Sequence, residues 1–231
     1  MSEKTLGIIG GLGPLATVAF MNSVLEHTPT ERERDHLHMI VDCNPKVPDI
    51  NAAILGTGPC AAAALVESAQ RLETAGANLI AMVCNAAHIY ERELKQSISV
   101  PFISMIEGAI MAIQADFPQC KQVGLLASNG CLHAELYQDA LVRRGMSPLL
   151  QTADEQRQLM RALAQIKSGD LGNEVRSEML SMINALATRG AETIVLGCSE
   201  IALIGPIAEI DVPLIDPSIA LAQATVRAAI N

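Results

Sequence analysis

The 231-residue chain contains no tryptophan, and aromatic side chains make up only 2% of it. Nucleic-acid surfaces rely on clustered basic residues and stacking rings. Here acidic residues outnumber basic ones, 25 to 16, for a net charge of −9. That composition argues against a nucleic acid and equally against an anionic membrane surface as partner. No apolar stretch approaches the roughly 18 residues that a spanning helix requires. Neither a C-x-x-C nor an H-x-x-x-H pattern occurs, so no metal site is expected. The six cysteines are irregularly spaced, and "MSEKTLGIIGG" enters an apolar strand with no leader-like segment. Reduced thiols and a cytoplasmic location are the expectation.

What is present is apolar: half of the residues, enough for one large domain or two small ones. Short β-rich runs alternate with longer Ala/Leu/Glu-rich periodic segments, which predicts an α/β fold with parallel sheets flanked by helices. Strands are predicted at Leu6–Gly10, 37–42, 79–83, 102–104, Gln122–Ala127, Thr193–Gly197 and 213–215. Helical periodicity covers 61–75 and 174–189, each followed by a candidate capping glycine, Gly76 or Gly190.

The most informative feature is an internal repeat. "AGANLIAMVCNAAHI" at 75–89 matches "RGAETIVLGCSEIAL" at 189–203, and "SVPFISMIEGA" at 99–109 matches "DVPLIDPSIAL" at 211–221. "LGIIGGLGPLAT" at 6–17 has a looser echo in "VGLLASNGCLHA" at 123–134. The offsets of 114, 112 and 117 residues are nearly constant. Two pseudo-symmetric α/β domains follow, 1–104 plus 212–231 and 105–211, with the last helix packing back on the first half.

Cys84 and Cys198 are the twins of this repeat, each at the end of a predicted strand. Ligands of open α/β sheets sit outside the carboxyl ends of strands. Facing halves would therefore bring one thiol to a shared cleft from each side. Inverting a carbon that bears an acidic proton needs such an arrangement, a base on one face and an acid on the other. Each cysteine precedes a predicted helix start, at Asn85–Ala86 and Ser199–Glu200, where backbone N–H groups favour anions and lower a thiol pKa. Either cysteine alone reads as a small buried hydrophobe; the pair reads as function.

Other motifs carry less. In "GGLGPLA" at 10–16, Gly11-x-Gly13-x-x-Ala16 fits a dinucleotide loop, and Asp42 closes the second strand. Pro14 removes one N–H there, and Asp42 lies farther on than that fingerprint's usual interval of about 20 residues. A tight strand-to-helix turn bordering the cleft is the preferred reading, with an NAD-binding oxidoreductase the remote alternative. "VDCNPKVPDI" at 41–50 reads equally as a surface connection or a substrate loop. Lys167 falls at a helix end, where a cation is favourable for dipole reasons alone. His88 is expected to be a buried histidine bonded to backbone, Glu200 a first-turn acid and Cys43 structural; Cys60, Cys120 and Cys131 have no assigned role.

With both cysteine motifs in view, the sequence resembles the aspartate/glutamate racemase family, particularly the aspartate racemases that work without pyridoxal phosphate. The resemblance rests on "GIIGGLGPLAT" at 7–17, "NPKVPD" at 44–49, "CNAAH" at 84–88, "DEQRQLMRAL" at 154–163 with Lys167 following, "GCSEI" at 197–201 and "VPLIDP" at 212–217. It implies a cofactor-independent racemase acting on a small amino acid, aspartate first, with its active site in the inter-domain cleft. Cys84 and Cys198 would be the acid/base thiols. Asn85 and Ser199 would help bind substrate, Lys167 would hold a carboxylate, and the glycine loop with Leu12 would border the site. A homodimer is implied by the same analogy. Ala86 and Ser199 stand where the family usually has threonine. Ile50 replaces an arginine that clamps a second carboxylate, and an alkyl group does not replace a guanidinium. Lys46 is a candidate substitute. A racemase of a less acidic amino acid, or a cysteine-dependent decarboxylase or cis–trans isomerase, are the alternatives.

Overall fold

A computed structural model of the chain describes residues 4–205 and 210–230. The first half runs β1 (Leu6–Gly10), α1 (Pro14–His27), β2 (Met39–Cys43), α2 (Ile50–Ile54), α3 (Ala62–Thr74), β3 (Leu79–Met82), α4 (Glu91–Ser97), β4 (Phe102–Ile103) and α5 (Met105–Asp116). The second runs β5 (Gln122–Ala127), α6 (Asn129–His133), α7 (Leu136–Val142), β6 (Ser147–Leu149), α8 (Ala153–Lys167), α9 (Asn173–Thr188), β7 (Thr193–Gly197), β8 (Leu214–Ile215) and α10 (Pro217–Ile230).

Each half forms one four-stranded, all-parallel sheet, ordered β2-β1-β3-β4 and β6-β5-β7-β8. The repeat is thus a repeat of topology, with β1 and β5 as the paired central strands. Parallel strands need crossovers and covering helices on both faces, so the inner strands β1 and β3 are apolar throughout. All five residues of β1 and all five of β7 are buried. The strand β6, a three-residue edge strand carrying Pro148, has no apolar run to announce it; an edge position tolerates proline because its free side needs no donor.

Strand alternation divides the core into three apolar groups. Leu6, Ile8, Leu79 and Ala81 face α1 and α10, where Phe20, Leu221 and Val226 are buried. Ile9, Ile80 and Met82 face the opposite way, in a group that continues into the second half through Val123, Leu125 and Tyr137. Leu126, Ile194 and Leu196 pack on α8 and α9. The last helix therefore belongs to the core of the first sheet. Leu221→Ala, which empties a fully buried site, is expected to cost about 2–5 kcal/mol in urea unfolding. A loss below about 1 kcal/mol would contradict this packing.

Candidate active site

The strand-to-loop turns of both halves converge on one cavity of about 370 Å³. Cys84 and Cys198 both line it, Cys84 two residues past the end of β3 and Cys198 immediately after β7. Strand alternation sets their direction. Cys84 continues the row of Ile80 and Met82, and Cys198 continues that of Ile194 and Leu196. The cavity also brings together Asn85, Ala86, Ser199 and Lys167, with Leu12 and Ile50. Lys46, the candidate substitute for a missing guanidinium, is exposed and lies outside the lining. The 41–50 loop does reach the site, through Pro45, Val47, Pro48, Asp49 and Ile50.

Local sequence explains each placement. Gly11, at φ +85°, turns so close to Asn44 that a Cβ would stand 2.4 Å from its backbone nitrogen; only glycine fits such a contact. Thr17 then clamps the turn, accepting from Gly11 N–H at 2.9 Å and donating to the Gly13 carbonyl at 3.0 Å. Asp49 caps α2 by accepting from Ala52 N–H at 2.7 Å, which sets Ile50 against the cavity. In α8, Leu159, Ala162, Leu163 and Ile166 form the buried stripe of an amphipathic helix, and Lys167 ends it at the cavity.

Two buried side chains hold the Cys84 turn in place. His88 bonds the Cys84 carbonyl through Nδ1 at 2.7 Å, and its Nε2 accepts from Met105 N–H at 3.0 Å. Both ring nitrogens are used by backbone, and burial lowers the imidazole pKa, so His88 is a neutral tether. Tyr137, fully buried and held protonated by that burial, donates a short hydrogen bond to Asn85 Oδ1. This leaves the Asn85 amide Nδ2 as the free end, buried and without a protein partner. Nothing in the sequence spacing pointed to Tyr137, which reaches across from α7 of the other half.

The thiols differ from expectation. The segments after them are short 3-10 turns, Ala86–Tyr90 and Ile201–Ile204, not α-helices with a full macrodipole. Burial pushes the Cys84 thiol up to about 11, and the Glu200 carboxylate acts in the same direction. The Ala87 N–H, the Lys167 ammonium and the Ala86 N–H pull downward by less. Burial and Glu200 also raise Cys198 well above its ordinary value, against the pull of Lys167. Cys198 donates its thiol hydrogen to Glu200 Oε2 at 3.0 Å. For Lys167, burial lowers the pKa, but Glu200, both thiols and Asp49 outweigh it and hold the ammonium above its usual value. Among the described residues no group of three His, Cys, Asp or Glu is placed to hold a metal ion, and no helix is long and apolar enough to cross a membrane.

These shifts make thiolate scarce in the free protein near neutral pH. Mass-mapped alkylation of Cys84 is expected to accelerate about tenfold per pH unit between roughly pH 7 and 10, because only the thiolate reacts. A rate that levels off by about pH 9, as an ordinary thiol's does, would contradict the raised pKa.

Comparison with known proteins agrees over almost the whole chain. The family profile of Asp/Glu/Hydantoin racemases matches residues 9–225. The broad specificity amino-acid racemase RacX of Bacillus subtilis (strain 168) is 24% identical over 225 residues, 96% of each chain. Among solved structures, the Picrophilus torridus aspartate racemase superposes with a TM-score of 0.87 at 27% identity, covering 98% of this chain and 94% of that one. The glutamate racemase of Francisella tularensis subsp. tularensis SCHU S4, solved with D-glutamate, has a TM-score of 0.70 at 15% identity. It covers all of this chain with 82% of its own, a likeness of fold alone. From the match across residues 9–225 and the doubled parallel-sheet architecture, the chain belongs to the Asp/Glu/Hydantoin racemase family.

Proposed function

We propose that the protein racemises an α-amino acid, without a cofactor, by proton transfer between Cys84 and Cys198. The observation that carries this reading is the placement of both thiols, at equivalent points of the two half-folds, on one cavity. One thiolate takes the proton from Cα, and the C–H electron pair spreads into the substrate carboxylate as an enediolate. The opposite thiol gives its proton to the other face and becomes the thiolate. The inverted product leaves, and proton exchange resets the pair.

Both thiols rest protonated, so a group must accept a proton before catalysis starts. Solvent reached through the cavity mouth is that acceptor, while Glu200 Oε2 orients the Cys198 thiol by accepting its hydrogen bond at 3.0 Å. Lys167 and the free Nδ2 of Asn85 supply the positive charge and the donor that an enediolate needs. Ser199 donates weakly to Glu200 Oε2, at 3.4 Å. Ala86, Leu12 and Ile50 shape the wall around the substrate.

Aspartate is the first substrate to assay, by family membership. A less acidic amino acid is the second reading, favoured by one observation. Among the described lining residues Lys167 is the sole cation, against two acids, Asp49 and Glu200, and Ile50 presents an alkyl chain. The oxidoreductase alternative has little support in the geometry. Glu200 stands against Gly13, where a pyrophosphate would lie, and Asp42 is engaged by Arg71 at 2.7 Å. The domain division at residues 105 and 212, a homodimeric assembly and a cytoplasmic location belong to the same proposal.

Incubating single enantiomers with the protein and following them by chiral chromatography tests the reading. Conversion of at least one amino acid is expected, with Cys84→Ser and Cys198→Ser each slower by about 10²–10⁴-fold. Wild-type rates in either variant would overturn the two-thiol assignment.

A further inference from the structure

Glu200 is the largest departure from the sequence reading, which took it for an ordinary first-turn acid. It is 4% exposed, and its two carboxylate oxygens have very different surroundings. Oε2 accepts from the Cys198 thiol at 3.0 Å and from the Ser199 hydroxyl at 3.4 Å. Oε1 is buried and has no hydrogen-bond partner. It faces the bare α-carbon of Gly13, where a Cβ would stand 2.7 Å away, and both residues line the cavity. A buried carboxylate oxygen without a donor is costly, and native proteins rarely leave one without a ligand or water.

The same cavity is lined by a cation, Lys167, whose residue is exposed. Glu200 raises the pKa of Lys167 through space, yet neither residue enters any of the ion pairs formed among the described residues. Opposite charges within electrostatic reach therefore share the cavity lining without being joined. The same lining carries a second orphan, the Asn85 Nδ2 donor, whose amide Tyr137 fixes through Oδ1. The lining thus offers a donor and a positive charge together with an unfilled negative acceptor.

We propose that Glu200 Oε1 is the ammonium-binding group, so that the cavity is a receptor for the zwitterionic head of an α-amino acid. The substrate carboxylate takes Lys167 and Asn85, and the substrate ammonium takes Oε1. Acids lacking the α-ammonium leave Oε1 unfilled and bring a second negative charge towards it. This deepens the racemase reading, because it limits the ligand class to α-amino acids and sets aside dicarboxylates without an amine, such as malonate and maleate. It also ties recognition to chemistry. The carboxylate that holds the Cys198 thiol hydrogen on one oxygen senses the substrate on the other.

Binding, not turnover, is the test, so that its outcome stays separate from that of the racemase reading. L-aspartate, L-alanine and L-methionine are titrated into the wild-type protein by calorimetry. Each is paired with the acid in which hydrogen replaces the amine: succinate, propanoate and 4-(methylsulfanyl)butanoate. At least one amino acid is expected to bind, and its counterpart to bind at least tenfold more weakly. In Glu200→Gln, which keeps shape and removes charge, that preference is expected to fall below about threefold. Equal binding of the two acids to the wild-type protein, no binding of any of the amino acids, or full preference retained by Glu200→Gln would each overturn the assignment. Equal binding by the wild-type protein overturns the assignment even where the variant folds poorly, and circular dichroism checks that the variant is native.

Discussion

A single ammonium, that of Lys167, shares one small cavity with two thiols and two carboxylates, and the chemistry of the site depends on that imbalance. Burial alone makes thiolates unfavourable, and the nearby Glu200 carboxylate makes them more so. Lys167 is the counterweight, and its own ammonium is held in the charged state by the same groups. Without that cation both thiols would be held higher still. A site with the lysine paired to Glu200 would have nothing left for a substrate carboxylate. The structure avoids both outcomes by leaving the two charges unpaired.

That balance is built on duplicated topology. Parallel strands put their carboxyl ends on one side of each sheet, and ligands of such sheets gather there. Because both halves have the same strand order, the ends of β3 and β7 are equivalent, and the residue types that follow them are too. The supporting contacts cross between the halves. Tyr137 of the second half orients Asn85 of the first, Asn51 accepts from Gly130 N–H at 2.9 Å, and Glu200 lies against Gly13. The cavity is therefore a property of the pair of halves, and neither sheet alone would carry it.

Much of this was legible in the sequence because the signals were repeated. The doubled Gly-Ala, strand and cysteine pattern led to two parallel sheets, and seven of the eight strands lie where apolar runs placed them, within a residue or two at their ends. The strand β6 was missed because three edge residues around a proline carry no periodicity. The eight candidate residues do share one cavity. What the sequence withheld was electrostatic. A thiol before a turn of small residues looks like a helix-terminal anion site, and only burial and the approach of Glu200 show that its pKa rises instead. Tyr137 is 52 residues from Asn85 in the chain, and contacts of that kind have no local signature. His88 was the easier case, since a histidine four residues after Cys84 can reach back to its carbonyl within one turn.

The central claim is that two thiols address opposite faces of one carbon, and solvent isotope placement tests it most directly. Starting from a single enantiomer in deuterium oxide, the first few turnovers are followed by mass spectrometry after chiral separation. Two opposed thiols predict deuterium at Cα in the newly formed enantiomer, while the unreacted pool keeps its protium. Protium carried into the product, or deuterium entering both enantiomers at equal initial rates, would contradict the account and point to one base serving both faces.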